Sequence, residues 1–315
     1  MTSCPLCKKT KVIFIYYLYD DNKLCWDKTI LVHKCLSCGL YFSVINEDLH
    51  EIYKNDYYVF DTIRETCDKA FAEHCCSWLD DHISLSGKTL LDIGSGKGYF
   101  CETAKTKKAH VTGIEPVPVA AKEAHKRTGI TMHNDYFEDI NITTKYDIIT
   151  MWDVLEHFNN PRFILTKIKN TLKPNGLLVI SVPNKGSIFS FISGAYWKGY
   201  NKYHVCHYKY KLLKSLLESS GFEIVKHETF DNNLLSPEGL FRLGIKDRLK
   251  NLARRNNYLR TAIVKRRGVI TDQNLFTGHN DYLMTNKNWV SSLCERFIQK
   301  LELGDQLRII CKSVR

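Results

Sequence analysis

"LLDIGSGKGYF", Leu90 to Phe100, decides how this chain is read. An unbroken apolar run ends in Asp92 and turns at once into a loop with glycine at every second position: Gly94, Gly96 and Gly98. A run without polar alternation suits a parallel strand buried on both faces. A glycine-rich turn after it lets backbone come close to a ligand. Working outward, "AHVTGIEP" (109–116), "ITMHND" (130–135), "YDIITMWD" (146–153) and "GLLVISVPN" (176–184) read as further strands, with helical spacing between them. In "NNPRFILTKIKNTLKPNG" (159–176) asparagine caps and Pro161 fills the first turn; Leu165, Ile168 and Leu172 form the stripe, and Pro174 and Gly176 are expected to stop the helix. The alternation predicts an α/β fold over 85–315, a Rossmann-like doubly wound sheet that binds its ligand at the carboxyl ends of the strands.

The loop itself narrows the ligand. In a G-x-G-x-x-G dinucleotide fingerprint the third glycine would fall at Tyr99, so the fingerprint fails, and Lys97 is followed by Gly98, not by the Ser or Thr of a P-loop. Asp92 beside the turn repels a pyrophosphate but suits the cationic ammonium end of S-adenosyl-L-methionine. Glu115, at the end of the second strand, is placed to accept both ribose hydroxyls. Asp135 and Tyr136 follow the third strand, where they could meet the adenine edge. With Ser95 in the loop and Asp153 at the end of the fourth strand, these are the expected cofactor-binding residues.

Ahead of this unit, "CPLC" at Cys4 and Cys7 and "CLSCG" at Cys35 and Cys38 are separated by 27 residues. Two C-x-x-C pairs let four thiolates converge as the tetrahedron that structural Zn2+ prefers, and Gly39 gives one turn its freedom. "KVIFIYYLYD" (11–20) and "KTILVHKC" (28–35) read as short strands between them, so residues 1–45 are expected to form a small zinc ribbon, joined by linking helices over 46–84. The remaining eight cysteines show no such spacing and read as small apolar residues.

Taken in order, "LLDIGSGKGYF", "VTGIEP", "NDYFEDI", "YDIITMWDVLEHFNNPRFIL", "LKPNGLLVISVPN" and "LLKSLLESSGFEIV" resemble the successive motifs of class I S-adenosylmethionine-dependent methyltransferases. The likeness is strongest to the branch with ubiquinone-biosynthesis O-methyltransferases and sugar methyltransferases, and covers roughly residues 85–230, with "GDQLRIICKSV" (304–314) as the last strand. Residues 1–60 resemble the zinc-ribbon appendage of bacterial sugar-pathway methyltransferases. The resemblance implies methyl transfer to a small acceptor, such as a hydroxyl of a sugar or carrier-linked sugar. In the ubiquinone branch an acidic-x-x-Glu-His stretch is linked to a divalent cation; carried over, this implicates Asp153, Glu156 and His157 in "WDVLEHF". "YNKYHVCHYKYKLL" (200–213) resembles an entry segment of the same branch and offers His207 as general base, because imidazole titrates near neutral pH.

Charge separates one further region. The chain of 315 residues carries a net +11, and Lys246–Arg267 alone has nine Lys/Arg against one Asp. This stretch lies in a helical insertion expected at about 232–303, before the last strand. It could bind an anionic carrier, rest on an anionic membrane surface, follow nucleic-acid phosphates, or be a solvated helix face. Two other readings therefore stand beside the small-acceptor enzyme: an RNA methyltransferase that grips phosphates with ribbon and helix, and a non-catalytic zinc-dependent interaction module. No run of about 18 apolar residues suggests a membrane span, and "MTSCPLCKKT" is unlike a signal peptide. A cytoplasmic location is expected, where 12 cysteines are thiols or metal ligands.

Overall fold

The computed structural model describes residues 2–20, 25–45, 62–197, 199–230 and 300–314. The basic stretch 246–267, and nearly all of the expected insertion around it, lie outside these residues.

Seven strands form the main sheet: β4 (Thr89–Ile93), β5 (His110–Ile114), β6 (Thr131–His133), β7 (Tyr146–Trp152), β8 (Leu172–Pro183), β10 (Phe222–Phe230) and β11 (Gln306–Ser313). Their spatial order is β10-β11-β8-β7-β4-β5-β6. Neighbours from β8 to β6 pair in parallel, while β11 runs antiparallel to both β8 and β10. The apolar runs explain themselves here. Leu90 and Ile148 point to a layer with Cys75, Cys76 and Leu79 of α1 (Thr62–His82) and with Phe100 of α2 (Tyr99–Thr106). Leu91 and Ile149, their chain neighbours, point to the opposite layer, with Ile164 and Leu165 of α4 (Pro161–Thr171). Strands sandwiched between helices need apolar residues on both faces. The helix α3 (Pro118–Thr128) completes the crossover between β5 and β6.

The helix α4 starts as its sequence dictates, with Asn160 Oδ1 accepting from the Phe163 N–H at 3.4 Å and Pro161 at the first position. It ends earlier than expected. Leu172 already pairs with Tyr146 in the sheet, so Pro174 and Gly176 lie within β8 rather than closing the helix. The ladder, not the proline, sets that boundary.

A second sheet has the order β1-β2-β3-β9, with β1 (Val12–Asp20), β2 (Cys25–Cys35) and β3 (Tyr41–Ile45) antiparallel from the N-terminal region. Its fourth strand, β9 (Cys206–His207), comes from more than 160 residues further along the chain and pairs Phe42 with Cys206 and Tyr41 with His207. Cys4, Leu6, Cys35, Leu40 and Phe42 belong to the same continuous core as Leu91 and Ile149. The small sheet is thus sewn to the large one. Two short helices, α5 (Ile188–Ser193) and α6 (Tyr210–Ser219), flank the seam. Among the described residues, no helix is long and apolar enough to cross a membrane.

Candidate functional site

The glycine loop sits at the carboxyl end of β4, and all three glycines have positive φ, at 72°, 53° and 75°. Gly94 is required by crowding as well: a Cβ there would meet Val154 Cγ2 at 2.5 Å. Gly98 likewise faces Ala124 of α3, whose Cβ would lie 2.8 Å away.

The two acids that the sequence singled out both turn inward. Asp92 is 2% exposed; its Oδ1 accepts from Thr150 Oγ1 at 2.6 Å and its Oδ2 from the Cys101 thiol at 3.4 Å. A cofactor ammonium at Asp92, as expected from sequence, would share the carboxylate with Thr150 and Cys101, since each oxygen already accepts from one protein donor and keeps a second lone pair. Burial, opposed by those two bonds, raises its pKa to about 7. Glu115 is 4% exposed and accepts from the Gly96 N–H at 2.8 Å and from the Val117 N–H at 2.9 Å. Burial raises it too, to about 7, against those two backbone bonds. The N–H groups of Gly94 and Ser95 are bonded to the Ile114 carbonyl at 2.9 and 3.0 Å, and Ser95 Oγ donates to the same oxygen at 3.2 Å. The turn is thus lined by a carboxylate and carbonyls, not by free N–H groups. Asp135 is exposed and Tyr136 half-buried just past β6. Immediately after β6, Asn134, which sequence reading missed, donates from Nδ2 to the carbonyls of Glu115 and Pro116, both at 2.9 Å.

At the end of β7, Asp153 has φ 56°, a conformation that costs a non-glycine residue about 1 kcal/mol or more. Ser181 Oγ, on the neighbouring strand β8, donates to its Oδ1 at 3.0 Å. Burial lifts its pKa to about 6, against the Ser181 bond. Sequence grouped Asp153 with Glu156 and His157 as ligands of a divalent cation, and the geometry regroups them. Asp153 turns its carboxylate to Ser181, while Glu156, His157 and His204 bring one oxygen and two nitrogens within 4.8 Å of one another. Glu156 is 1% exposed and neither of its oxygens has a hydrogen-bond partner among the described residues. His204 Nε2 lies 3.8 Å from Glu156 Oε1, and the His204 ring stands edge-on to His157 with centroids 4.8 Å apart. The nitrogens of His157 lie 2.9 Å from the Tyr203 carbonyl and 3.1 Å from that of Asp153. Burial lowers its pKa to about 4.

His207 stands elsewhere. It is 2% exposed in β9, with Nε2 2.9 Å from Ser43 Oγ and the Tyr200 ring 4.6 Å from its own. Burial, with the nearby Lys185 charge, lowers its pKa to about 3. Backbone pairing with β3 thus places the His207 imidazole, expected from sequence to be the general base, in the seam between the sheets, where burial keeps it neutral.

The four N-terminal cysteines do converge. Cys4 and Cys38 sulfurs lie 3.6 Å apart, Cys7 and Cys35 sulfurs 3.5 Å, and all four fall within 4.8 Å. A tetrahedron of thiolates about 2.3 Å from zinc has edges of about 3.8 Å, so these separations fit the ion; a disulfide requires about 2 Å. Each knuckle ends on a left-handed residue, Lys8 at φ 58° and Gly39 at φ 82°. At Cys35 burial resists ionisation, but the N–H groups of Cys38 and Ser37 outweigh it and lower the thiol to about 7. Among the other cysteines, Cys67, Cys75, Cys76, Cys101, Cys206 and Cys311 are buried and outside any disulfide.

A glycine turn answered by a buried acid at the carboxyl edge of this mixed seven-stranded sheet defines a Rossmann-like ligand-binding domain. The profile described as "Methyltransferase domain" matches residues 67–227, and the chain belongs to that family. The ubiquinone biosynthesis O-methyltransferase of Paraburkholderia phytofirmans is 34% identical over 131 residues, covering 38% of this chain and 56% of the relative. That of Glaesserella parasuis serovar 5 is 38% identical over 112 residues, covering 32% of this chain and 48% of the relative. The chain therefore spans about half the length of these curated relatives. Among solved structures, the magnesium protoporphyrin IX methyltransferase of Synechocystis PCC 6803 with bound SAH aligns over 56% of this chain and 84% of its own, at TM-score 0.45 and 16% identity.

Proposed function

We propose that this protein is an S-adenosyl-L-methionine-dependent methyltransferase that methylates a hydroxyl of a small, sugar-like acceptor. One observation carries the reading. The Gly96 N–H, which a phosphate-binding turn would aim at its ligand, is answered at 2.8 Å by the Glu115 carboxylate. A pyrophosphate there would face a negative charge and find the donors engaged, whereas ribose hydroxyls can take over the carboxylate's bonds. The names of the ubiquinone-pathway relatives support oxygen as the accepting atom.

When bound, the cofactor supplies an electrophilic methyl on a good leaving group, and alignment is the protein's main contribution. The chain's own groups then have separable tasks. Glu115 holds the ribose, while buried Asp92 shapes the turn from beneath and gives it a negative field. Asp153, held by Ser181 at the carboxyl edge of β7, takes the acceptor hydroxyl proton; its raised pKa of about 6 suits that task near neutral pH. Glu156, His157 and His204 would hold a divalent cation, which would polarise an acceptor oxygen. A structural zinc held by Cys4, Cys7, Cys35 and Cys38 fixes the small sheet.

Calorimetry on Glu115→Ala tests the reading. Its cofactor affinity should fall at least ~30-fold, the equivalent of about 2 kcal/mol in charge-assisted hydrogen bonds. An affinity within about twofold of wild type would remove Glu115 from the pocket. Asp153→Asn should bind the cofactor and lose kcat by roughly 100-fold or more.

A further inference from the structure

Two lysines at the seam between the sheets share one tyrosine and, among the described residues, form no ion pair. Lys185 lies two residues beyond β8, on the carboxyl edge of the large sheet, and its backbone N–H donates to the Tyr208 carbonyl at 2.7 Å. Its amine donates to Ser190 Oγ at 2.7 Å and lies 4.9 Å from the centre of the Tyr41 ring, 5.7 Å from Trp197 and 5.6 Å from Tyr200. Lys209, immediately before α6, places its amine 5.7 Å from the same Tyr41 ring.

Among the described residues, neither amine has a carboxylate within ion-pair distance, and the charge that acts on Lys185 is the other cation, Lys209. Aromatic faces offset part of a buried ammonium's lost hydration. Here they do not offset all of it, since burial first, and Lys209 second, lower the Lys185 amine to about 8. Two cations held near each other, beside the positive start of a ten-residue helix, make a local excess of positive charge. The ligand that removes it is a doubly charged anion able to accept from both amines.

We propose that Lys185 and Lys209, whose amines both lie within 6 Å of the Tyr41 ring centre, hold a phosphate group of the methyl acceptor at the seam of the two sheets. The inference rests on the methyltransferase reading and adds a chemical class to it: the acceptor is phosphorylated. The position agrees, because Lys185 continues the strand whose Ser181 holds Asp153. A phosphate anchored there leaves the rest of the molecule to extend along the carboxyl edge toward the methyl. It also gives the N-terminal sheet a part in recognition, since Tyr41 belongs to β3.

The test uses the full-length, zinc-loaded protein, with pyrophosphate and S-adenosylmethionine binding measured separately by calorimetry. Lys185→Gln and Lys209→Gln should each weaken pyrophosphate binding by roughly 10-fold, and together by more, with cofactor affinity and zinc content unchanged. Lys185→Arg, which keeps the charge if the Gln variant folds poorly, should retain most of the binding. Uridine diphosphate and phosphatidylglycerol vesicles, run as parallel arms, separate a soluble phosphorylated acceptor from a lipid-borne one. Absence of pyrophosphate binding to the wild type, or undiminished binding to the double variant, overturns the proposal while leaving the enzyme reading intact. Loss of cofactor binding in the wild type would instead sink the enzyme reading.

Discussion

The two sheets of this protein are stabilised in different currencies. The seven-stranded sheet hides apolar side chains on both faces, and Leu90, Leu91, Ile149, Leu178 and Ile180 at its centre are fully buried. Burial of each such side chain contributes roughly 1.5–3 kcal/mol, so this unit needs no outside help. The N-terminal sheet has few residues of that kind and leaves Ile13 and Phe14 42% and 47% exposed. Its cohesion comes from the core that Leu6, Leu40 and Phe42 share with the large sheet, from the four-cysteine cluster, from a strand lent by the other unit, and from a small core of Leu18, Ile30 and Val32 shared with Trp197 and Tyr200. The contrast teaches that a short sheet can hold its shape by borrowing a strand and a core from a neighbour and by gathering four cysteines at one end, rather than by enlarging its own core.

Stripping zinc should break the comparison most visibly. Structural zinc sites carry apparent binding energies of about 10–16 kcal/mol at neutral pH. Chelation should therefore melt β1–β3, seen as rapid amide exchange there, while exchange in β4, β7 and β8 stays slow. Simultaneous loss of protection in the large sheet would show that it, too, depends on the metal. Leu91→Ala is the opposite probe. It should cost about 2–5 kcal/mol in denaturant unfolding and leave zinc stoichiometry untouched.

The acids beneath the glycine turn sharpen the difference through pH. Asp92 and Glu115 each have a folded pKa raised to about 7, above their ordinary 3.8 and 4.5. The folded state then binds these protons more tightly than the unfolded chain. Their contribution to stability is full below about pH 4 and is lost as pH rises through about 7. Cofactor-free protein should lose roughly 2 kcal/mol per group, about 4–5 kcal/mol for the two, between pH 5 and pH 7.5, and Asp92→Asn should roughly halve that slope. A slope unchanged in the variant would assign the titration elsewhere. The mildest effect is expected at the seam. Ser43→Ala leaves a buried His207 nitrogen without its partner and should cost about 1–2 kcal/mol, with cofactor affinity unaltered.

Much of the large sheet was legible because its strands are continuous apolar runs bounded by glycine and acid, a local signal. The cysteine cluster was legible for the same reason, since its information lies in spacing. What escaped the sequence depends on register between segments far apart. Asp92 is opposite Thr150 in the parallel ladder, and only that pairing shows that the carboxylate is clasped from within. The meeting of His204 with Glu156 depends on the Val205 N–H bonding to the Glu156 carbonyl at 2.9 Å. His207 attracted a catalytic role by residue type. Its fate was settled by two residues of backbone pairing with β3, which no periodicity announces.

That two-residue strand also sets a timetable for biosynthesis. Phe42 leaves the ribosome some 164 residues before its partner Cys206. At translation speeds of about 5–20 residues per second, the open margin of the first sheet waits on the order of ten seconds or longer for its closing piece. During that interval the outer edge of β3 presents unpaired backbone groups of the kind that pair with other chains unless they are covered.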